Sequence, residues 1–478
     1  AYDIRLSLVG SEMCIRDRFH TDPVPASRLL LLFAGWGMDH NPFTRLKVSG
    51  YDLCVVWDYR DDRLSFEIAP ERYDEIAVVA WSFGVPAAAR FIASHPELPF
   101  TTKIAINGTQ HPVDDRMGIP VGIFRGTLDG LNEKSLQKFY LRMAGSGEAY
   151  KAFATTLPER QITELKEELM AVETNDSPII TWDKAIISAS DRIIPPANQF
   201  NAWENEAFEI CSYEGAHLPA FPTLLPSLLT DKSLVKRRFH RAASTYDSNA
   251  IIQQRIARNL MDLWTADSAK PLDILEIGCG TGYSTRLICN NCNITTLRLW
   301  DLTISDSFVE EFSRLGADIE SCDAETEIRN LPSESIDAII TTSTVQWFNS
   351  LPSFLLQVER VLRPGGQAVI STFGPDTMRE INATMGRESL YPDIDTLHRM
   401  IPGGMIIGHL SSTTMHLTFP TPMDVLRHVR LTGVNATTPA ASAAETRAFL
   451  RSYPTLPDST APLTYQPIYM ILTKQNQS

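Results

Sequence analysis

The sequence has few cysteines, no long apolar run and no excess of positive charge. Seven cysteines are spread over 478 residues, which does not make a disulfide framework and is typical of a reducing compartment. The longest apolar runs, such as residues 29–34 and 76–81, are far shorter than the roughly 20 residues that a membrane-spanning helix needs. We therefore expect a cytoplasmic protein without a membrane partner.

Two kinds of ligand are disfavoured by composition. A net charge of −14 argues against a nucleic-acid binder, because such proteins neutralise phosphates with basic residues. Cys289 and Cys292 form one C-x-x-C pair, but no second pair or histidine cluster accompanies it, so we expect no metal site. Hydrophobic residues make up 44% and charged residues 21%, which are typical values for globular domains.

The length indicates more than one domain, since 478 residues exceed one ordinary hydrophobic core. Apolar density falls near residues 229–236, so the predicted domains are residues 19–230 and 231–478. Residues 1–18 fit neither domain and lack the ordered parts of a signal peptide. Because residues 6–18 resemble translated adapter sequence at the ends of metagenomic gene models, we expect an artefactual extension.

Short apolar runs alternate with helical segments in both halves of the chain, which predicts parallel sheets covered on both faces. The predicted fold class is therefore α/β, with two doubly wound domains. Residues 120–175 are expected to form a helical cap over the first domain. The runs lie at 29–33, 53–57, 75–80, 103–107 and 184–189, and then at 274–277, 298–301, 338–341 and 367–371.

The first half contains a strand, a turn and a helix with a serine at the apex. Ser82 follows an apolar run, and the small residues Ala80 and Gly84 stand two places on either side of it. This is the pattern of a nucleophile elbow, where the tight bend excludes larger side chains. Ala80 replaces the commoner glycine, and a serine that caps the following helix is the alternative interpretation.

Two more residues complete the chain order Ser, Asp, His of α/β-hydrolases. Asp191 follows the fifth apolar run, and His217 lies in a loop shortly before the last predicted helix of this half. We predict that His217 is the general base and that Asp191 orients it. The oxyanion hole is predicted to use the backbone N–H groups of Trp36 and Phe83, although the Trp36 indole could line the acyl pocket instead.

Four segments together resemble the BioG family, the pimeloyl-[acyl-carrier protein] methyl ester esterases. The resemblance covers about residues 28–222 and implies an α/β-hydrolase fold. It also implies hydrolysis of the methyl ester at the far end of a pimeloyl chain carried on acyl carrier protein. The segments are FAGWGMD at 33–39, AWSFGV at 80–85, FRGTLDG at 124–130 and DRIIP at 191–195.

The second half begins with a strand that leads into a glycine-rich turn. Glu276 precedes Gly278, Gly280 and Gly282, and glycines let a backbone approach a nucleotide-like ligand closely. The G-x-G-x-G spacing resembles the first motif of class I S-adenosylmethionine methyltransferases, which have a Rossmann-like fold. A carboxylate beside the turn suits the cationic methionine amine better than a pyrophosphate, so S-adenosylmethionine is the predicted cofactor.

Two aspartates follow later strands of this half. Asp301 ends the second predicted strand and is placed to accept hydrogen bonds from both ribose hydroxyls. The methyltransferase resemblance implies that Asp323 contacts the adenine amine. A loop or capping residue is the alternative interpretation for Asp323.

Five further segments resemble malonyl-[acyl-carrier protein] O-methyltransferases, the BioC family, over about residues 233–474. The resemblance implies methylation of a malonyl carboxylate on acyl carrier protein. Tyr246, Gln346 and Trp347 are candidate substrate-positioning residues, and packing is the alternative for each. The segments are RFHRAASTYD at 238–247, VQW at 345–347, STFGP at 371–375, LTGVN at 431–435 and LTY at 463–465.

Together the resemblances imply a bifunctional enzyme of biotin-precursor synthesis, in which one half makes a methyl ester and the other removes it. One alternative is a general carboxylesterase fused to a small-molecule methyltransferase, and another is a non-catalytic hydrolase-fold scaffold on a methyltransferase. Acyl carrier proteins are acidic, so basic residues are candidates for docking. These are Lys236, Arg237, Arg238 and Arg241 in the second half and Arg125 and Arg142 in the first.

Overall fold

The computed structural model describes residues 17–20, 26–61, 68, 72–174, 177–264, 270–386, 389, 391–432 and 443–476. Contacts divide the chain into two compact units, Ala1–Leu225 and Pro226–Ser478. This division falls before the boundary between residues 230 and 231, which stays a prediction. Of the expected extension at 1–18, residues 1–16 lie outside the described part, whereas Asp17 and Arg18 begin a strand.

The described part of the first unit is a sheet with helices between its strands. The strands are β1 (Asp17–His20), β2 (Arg28–Phe33), β3 (Asp52–Val56), β4 (Glu75–Trp81), β5 (Phe100–Ile106), β6 (Trp182–Ser188) and β7 (Ala207–Tyr213). The helices are α1 (Gly84–Ser94), α2 (Val121–Asp129), α3 (Glu133–Ala144), α4 (Gly147–Phe153), α5 (Ile162–Thr174) and α6 (Pro196–Trp203). A further helix, α7 (Phe221–Leu228), includes the division at Leu225.

The strand order of this sheet is β1-β3-β2-β4-β5-β6-β7. β2 to β7 are parallel to their neighbours, and β1 pairs antiparallel with β3 at one edge. Every residue of β3 and β4 is buried, as expected for strands covered on both faces. The predicted α/β fold class is confirmed, although neither the antiparallel β1 nor β7 was predicted.

Four helices, α2 to α5, lie between β5 and β6, in the segment where the sequence predicts a cap. Phe124 of α2 and Leu165 of α5 pack in one buried cluster with Trp36 and Phe83. Phe83 directly follows Ser82, so these helices cover the end of β4 at which the serine stands.

The described part of the second unit contains a seven-stranded sheet, a two-stranded sheet and more helices. Its strands are β8 (Leu272–Ile277), β9 (Ile294–Asp301), β10 (Asp318–Ser321), β11 (Ile336–Thr342), β12 (Leu362–Phe373), β13 (Met405–Ser412), β14 (Met415–Phe419), β15 (Ala461–Tyr465) and β16 (Pro467–Lys474). Its helices are α8 (Lys232–Asn249), α9 (Ile251–Leu263), α10 (Tyr283–Asn291), α11 (Asp306–Ser313), α12 (Ala324–Glu327), α13 (Leu351–Val361), α14 (Arg379–Thr384), α15 (Ile394–Met400), α16 (Pro422–Leu431) and α17 (Ala443–Ser452).

The main sheet of this unit has the order β10-β9-β8-β11-β12-β16-β13. The first five strands are parallel, and β16 pairs antiparallel with both β12 and β13. The sequence predicts a turn at residues 363–366, but the structure includes them in β12 as an irregularity. There the partner of β11 shifts from Leu362 to Gln367. Gly365, with a φ of 76°, allows this local distortion.

Two kinds of feature are missing from the residues that the structure describes. None of their helices has the length and apolarity needed to cross a membrane. No group of three or more His, Cys, Asp or Glu side chains in the same part of the chain is arranged to hold a metal ion.

Candidate active sites

Ser82 stands at a sharp turn between β4 and α1. Its φ of 57° lies in the left-handed region, which non-glycine residues adopt at a cost and mainly at functional sites. Its N–H donates to the carbonyl oxygen of Ile106 at 3.0 Å, and its carbonyl accepts from the N–H of Val85 at 3.1 Å. The N-cap of α1 is Phe83, so Ser82 does not cap the helix.

Glycines around this turn are required by close backbone approach. A Cβ at Gly84 would collide with the carbonyl oxygen of Phe33, and one at Gly108 would collide with the carbonyl oxygen of Ser82. At Gly35 a Cβ would lie 3.2 Å from the Cβ of Ser82. A glycine is therefore required for steric reasons at position 84, two residues after the serine.

The three predicted residues of the triad form one connected, buried chain of hydrogen bonds. His217 Nε2 lies 2.9 Å from Ser82 Oγ, and His217 Nδ1 lies 2.8 Å from Asp191 Oδ2. Their exposed fractions are 6% for Ser82, 7% for Asp191 and 1% for His217. Because an ionised carboxylate only accepts hydrogen bonds, it directs the proton to Nδ1 and leaves Nε2 to accept from the serine.

Asp191 is held by three more donors. Its Oδ1 accepts from the backbone N–H groups of Ile193 at 2.7 Å and Ile194 at 3.0 Å. Gln199 on α6, which is fully buried, donates from Nε2 to Oδ2 at 2.8 Å. Gln199 could not be found from the sequence, because a single glutamine within a helix belongs to no motif.

The loop that carries His217 is fixed through its backbone. The carbonyl oxygen of His217 accepts from Trp81 Nε1 at 2.8 Å and from Asn107 Nδ2 at 2.9 Å. Asn107 Oδ1 in turn accepts from the N–H of Ser188 at 2.7 Å. Asn107, which was also missed, therefore ties the ends of β5 and β6 to the histidine loop.

Trp36 and Phe83, the residues predicted for the oxyanion hole, lie beside the serine. Across the described ranges, neither backbone N–H donates to another protein group. The Trp36 indole donates to the carbonyl oxygen of Leu165 at 3.1 Å, and its ring packs edge-on against Phe139. Trp36, Ser82 and Phe83 line one cavity of about 40 Å³, so both interpretations of Trp36 are compatible with its position.

The two basic residues predicted for docking in this unit differ in position. Arg142 lines the cavity beside Ser82. Arg125 is exposed and forms an ion pair with Glu173 at 3.2 Å. A docking role for either stays a prediction.

A larger cavity, of about 210 Å³, lies at the carboxyl ends of the parallel strands in the second unit. Gly278 and Gly280 line it after β8, and Asp301 lines it at the end of β9. Asp323 lines it after β10. Ligands of open α/β sheets bind at this position. Helix α8 supplies further lining residues, among them Lys232, Val235, Lys236, Phe239, His240, Ala243 and Tyr246.

Glu276 is a buried carboxylate without a partner. Neither of its oxygens has a hydrogen-bond partner in the described part of the chain, and its exposed fraction is 1%. Burial, together with the negative charge of Asp301, raises the pKa of Glu276 to about 8. The Thr285 hydroxyl lowers the pKa, although it is not within hydrogen-bond geometry of either oxygen. An unpaired buried carboxylate is costly once it is ionised. Glu276 does not itself line the cavity, but it stands two residues before Gly278, which does, so it fits a ligand group that brings a positive charge.

The three glycines of the turn serve different purposes. A Cβ at Gly278 would collide with Thr344, and one at Gly282, the N-cap of α10, would meet Phe312 at 2.5 Å. At Gly280, with a φ of 54°, nothing lies within 4 Å of a built Cβ. Only Gly278 and Gly280 of the three line the cavity. The open space at Gly280 therefore fits close approach by a ligand, whereas Gly282 is explained by packing.

Asp301 and Asp323 both line the cavity and are both held in place. Asp301 accepts from the N–H groups of Gly280 and Thr303, each at 2.9 Å, and burial raises its pKa. Asp323 is the N-cap of α12, so the capping alternative also applies, and its Oδ1 accepts from Lys232 Nζ at 2.9 Å. Lys232 was missed because the sequence assigns residues 229–236 to a domain boundary.

Of the three candidate substrate-positioning residues, the structure brings two together. Tyr246 and Trp347 line the cavity, and the ring of Phe239 lies 6.2 Å from the first and 5.7 Å from the second. Burial raises the pKa of Tyr246, so it is a neutral phenol near neutral pH. Gln346 does not line the cavity, and its Nε2 donates to the carbonyl oxygen of Ser343 at 2.6 Å.

Comparison with known proteins gives matches to both units. Residues 20–224 match the family model "Pimeloyl-ACP methyl esterase BioG", and residues 275–370 match "Methyltransferase domain". A malonyl-[acyl-carrier protein] O-methyltransferase of Bacteroides fragilis is 37% identical over 467 residues, covering 93% of each chain. One of Porphyromonas gingivalis is 32% identical over 251 residues, covering 50% of this chain and 95% of its own.

Among solved structures, a crystal structure of BioG from Haemophilus influenzae is 32% identical. The match covers 42% of this chain and 92% of that chain, with a TM-score of 0.38.

Proposed function

Because this chain belongs to the malonyl-[acyl-carrier protein] O-methyltransferase family, we propose that its second domain methylates the free carboxylate of malonyl-acyl carrier protein. The domain is a methyltransferase, and its cofactor is S-adenosylmethionine. When bound, this cofactor supplies a methyl group on a sulfonium that a nucleophile attacks. The residues of the cavity supply binding and alignment.

Four residues are proposed to hold the cofactor. Glu276 would take the cationic amine of the methionine part, since it is a buried carboxylate without a partner. Asp301 would accept from the ribose hydroxyls and Asp323 from the adenine amine, and both line the cavity. Gly280, where a side chain would enter open space, would let the backbone approach the ligand.

Methyl transfer to a carboxylate needs no general base. The reference pKa of a carboxyl group is about 4, so the malonyl carboxylate is already ionised at neutral pH. The rate then depends on alignment with the sulfonium methyl and on removal of water. Tyr246 and Trp347, which line the cavity, are proposed to position the malonyl group. Packing remains the alternative role for Gln346.

The first domain is proposed to hydrolyse pimeloyl-acyl carrier protein methyl ester. The observation that carries this proposal is the buried chain of hydrogen bonds from Asp191 through His217 to Ser82. His217 takes the proton of Ser82 as Oγ attacks the ester carbonyl, and the N–H groups of Trp36 and Phe83 stabilise the oxyanion. His217 then gives this proton to the methoxide oxygen as its bond to the carbonyl carbon breaks, so that methanol leaves. It next takes a proton from a water molecule that attacks the acyl-enzyme, and this proton returns to Ser82 Oγ as the carboxylate is released.

The two reactions are complementary in one chain. Methylation removes a charge that is costly to bury in the apolar sites of chain-elongating enzymes. The esterase restores that charge once the chain has reached the pimeloyl length, which is the logic of pimelate synthesis for biotin. The reactions would cancel if both accepted the same chain length, so the esterase must disfavour the malonyl methyl ester.

Labelling with a fluorophosphonate probe tests the esterase. The wild-type chain is expected to react and Ser82→Ala is expected not to, because only an activated serine attacks the probe. Ser94→Ala is a matched control at the other end of α1, since Ser94 Oγ lies 3.0 Å from His95 Nδ1 but is exposed. This control should label as the wild type does. A wild-type chain that takes no label contradicts the esterase proposal.

A further inference from the structure

A buried lysine from the start of α8 reaches into the cofactor cavity of the second domain. Lys232 Nζ donates to Asp323 Oδ1 and to Glu325 Oε2, each at 2.9 Å, and the exposed fraction of its side chain is 4%. The ammonium group also lies 4.9 Å from the centre of the Phe348 ring. Lys232 lies outside the segment 275–370 that matches the methyltransferase model, and no role follows from that match.

Glu325 is itself held by two backbone donors and so fixes the position of Lys232. Its Oε1 accepts from the N–H of Ser350 at 2.7 Å, and its Oε2 accepts from the N–H of Asn349 at 2.9 Å. Ser350 is the N-cap of α13, so this carboxylate is tied to the start of a helix. Glu325 therefore holds the ammonium group of Lys232 at a fixed position, from which it donates a second hydrogen bond to Asp323.

A contribution to the stability of the fold does not by itself explain the cluster of Lys232, Asp323 and Glu325. Removing an ammonium group and two carboxylates from water carries a desolvation cost that their attraction offsets only in part. Apolar replacements of buried ion clusters are often as stable or more stable. What the cluster does achieve is a fixed orientation of the Asp323 carboxylate, which lines the cavity beside Lys232.

Helix α8 is also attached at its other end. The hydroxyl of Thr281, in the glycine turn, donates to Asp247 Oδ1 near the end of α8. The helix therefore crosses the cavity between two polar contacts, one at Lys232 and one at Asp247. Lys232 is the contact on the Asp323 side.

We infer that Lys232 is a positioning residue for adenine recognition, holding the Asp323 carboxylate so that it accepts from the adenine amine. The inference rests on the cofactor site proposed above. It assigns a function to the first residue of α8, directly after the region where the two domains join in sequence.

The role of Lys232 can be measured as the preference of the site for a purine that carries an amine over one that carries a carbonyl at the same position. An adenine amine donates to a carboxylate, whereas the carbonyl oxygen at the same position of hypoxanthine repels it. Calorimetric titration of the full-length chain with S-adenosylhomocysteine and with S-inosylhomocysteine gives a ratio of two dissociation constants. Because both values come from the same variant, the ratio does not depend on the fraction of folded protein.

The wild type is expected to prefer the adenosyl ligand by about tenfold or more, as for a hydrogen bond to a charged group. Lys232→Met and Asp323→Asn should each lose most of this preference, and the double variant should lose no more than either. Lys474→Met is the control, since Lys474 pairs with Glu334 at 3.3 Å and does not line the cavity. It should keep the wild-type ratio.

Two outcomes separate this inference from its premise. If Lys232→Met keeps the wild-type ratio while Asp323→Asn loses it, the role of Lys232 is wrong and the cofactor site stands. If the wild type binds both ligands equally, the adenine contact of Asp323 fails. Should Lys232→Met not fold, Glu325→Gln loosens the anchor of the lysine and should lower the ratio part of the way. An unchanged ratio in that variant also overturns the inference.

Discussion

At the scale of single residues, Glu276 is expected to lower the stability of the ligand-free domain and to strengthen cofactor binding. A carboxylate buried without a hydrogen-bond partner destabilises a fold when it is ionised, and its pKa of about 8 reflects this cost. A cationic ligand removes the penalty by supplying the missing partner. The residue is therefore expected to make opposite contributions to stability and to binding.

Replacement of Glu276 by glutamine tests this opposition. With a pKa raised from 4.5 to about 8, the folded domain binds more protons than the unfolded chain between these values, so wild-type stability falls as pH rises through that window. Glu276→Gln should lack this fall, unfold at a higher temperature than the wild type at pH 8, and bind S-adenosylhomocysteine more weakly. Thermal unfolding at pH 5 and 8 and calorimetric titration measure both effects. A variant that binds as tightly as the wild type contradicts the role of Glu276.

Asp191→Asn tests the orientation of His217. The amide would donate to Nδ1 and so favour the tautomer in which Nε2 cannot accept the serine proton, lowering kcat by about 10⁴-fold. The two backbone donors to Oδ1, from Ile193 and Ile194, can still be satisfied by the amide oxygen, so the fold should persist. Hydrolysis of a p-nitrophenyl ester gives kcat, and circular dichroism checks the fold. A loss of less than tenfold would show that Asp191 is not the orienting group.

The role of a residue can be predicted from the sequence when neighbouring residues or the chain order of a known fold indicate it. Ser82 could be found because the elbow motif lies within a few neighbours, and His217 and Asp191 because the fold dictates their chain order. Asn107, Gln199 and Lys232 act through contacts that form only in the folded chain, such as Asn107 with the His217 carbonyl 110 positions away and Lys232 with Asp323 91 positions away. No local pattern encodes such pairs.

At the scale of elements, the effect of backbone strain in the glycine turn after β8 can be distinguished from the effect of ligand contact by comparing two glycines. Gly280 and Gly316 have φ values of 54° and 77°, and neither has an atom within 4 Å of a built Cβ. Alanine at either position should therefore cost about 1 kcal/mol of backbone strain. Only Gly280 lines the cavity.

Gly280→Ala should therefore weaken S-adenosylhomocysteine binding strongly, whereas Gly316→Ala should leave the dissociation constant unchanged. Calorimetric titration measures binding, and urea unfolding measures the loss of stability. Equal binding by the two variants would show that the ligand does not approach the turn at Gly280.

Strands were predictable where burial on both faces gives an unbroken apolar run. β3 and β4 are buried at every position, and their runs mark them in the sequence. β7 is mostly only partly buried and includes Glu209, so its sequence AFEICSY gives no clear period. Residues 363–366, expected to form a turn before the fifth strand, are assigned to β12, but the pairing with β11 is interrupted there, since the partner residue shifts from Leu362 to Gln367.

At the scale of the whole molecule, the two proposed activities are compatible only if the methyltransferase and the esterase accept acyl chains of different lengths. The wild type and Ser82→Ala should convert malonyl-acyl carrier protein to its methyl ester at the same rate and to the same extent, because the proposed esterase is expected to leave this short ester intact. With pimeloyl-acyl carrier protein methyl ester, only the wild type should release methanol. Less malonyl methyl ester with the wild type than with Ser82→Ala would contradict this separation.

One chain is proposed to carry a methyltransferase for a carrier-bound carboxylate together with the esterase that removes the methyl group. Intact mass spectrometry of acyl carrier protein, after incubation with the full-length chain and S-adenosylmethionine, tests the first step most directly. Malonyl-acyl carrier protein is expected to gain the mass of one methyl group, and acetyl-acyl carrier protein, which has no free carboxylate, is expected to gain none. An unchanged mass for the malonyl protein, or an equal gain for both, would contradict the claim.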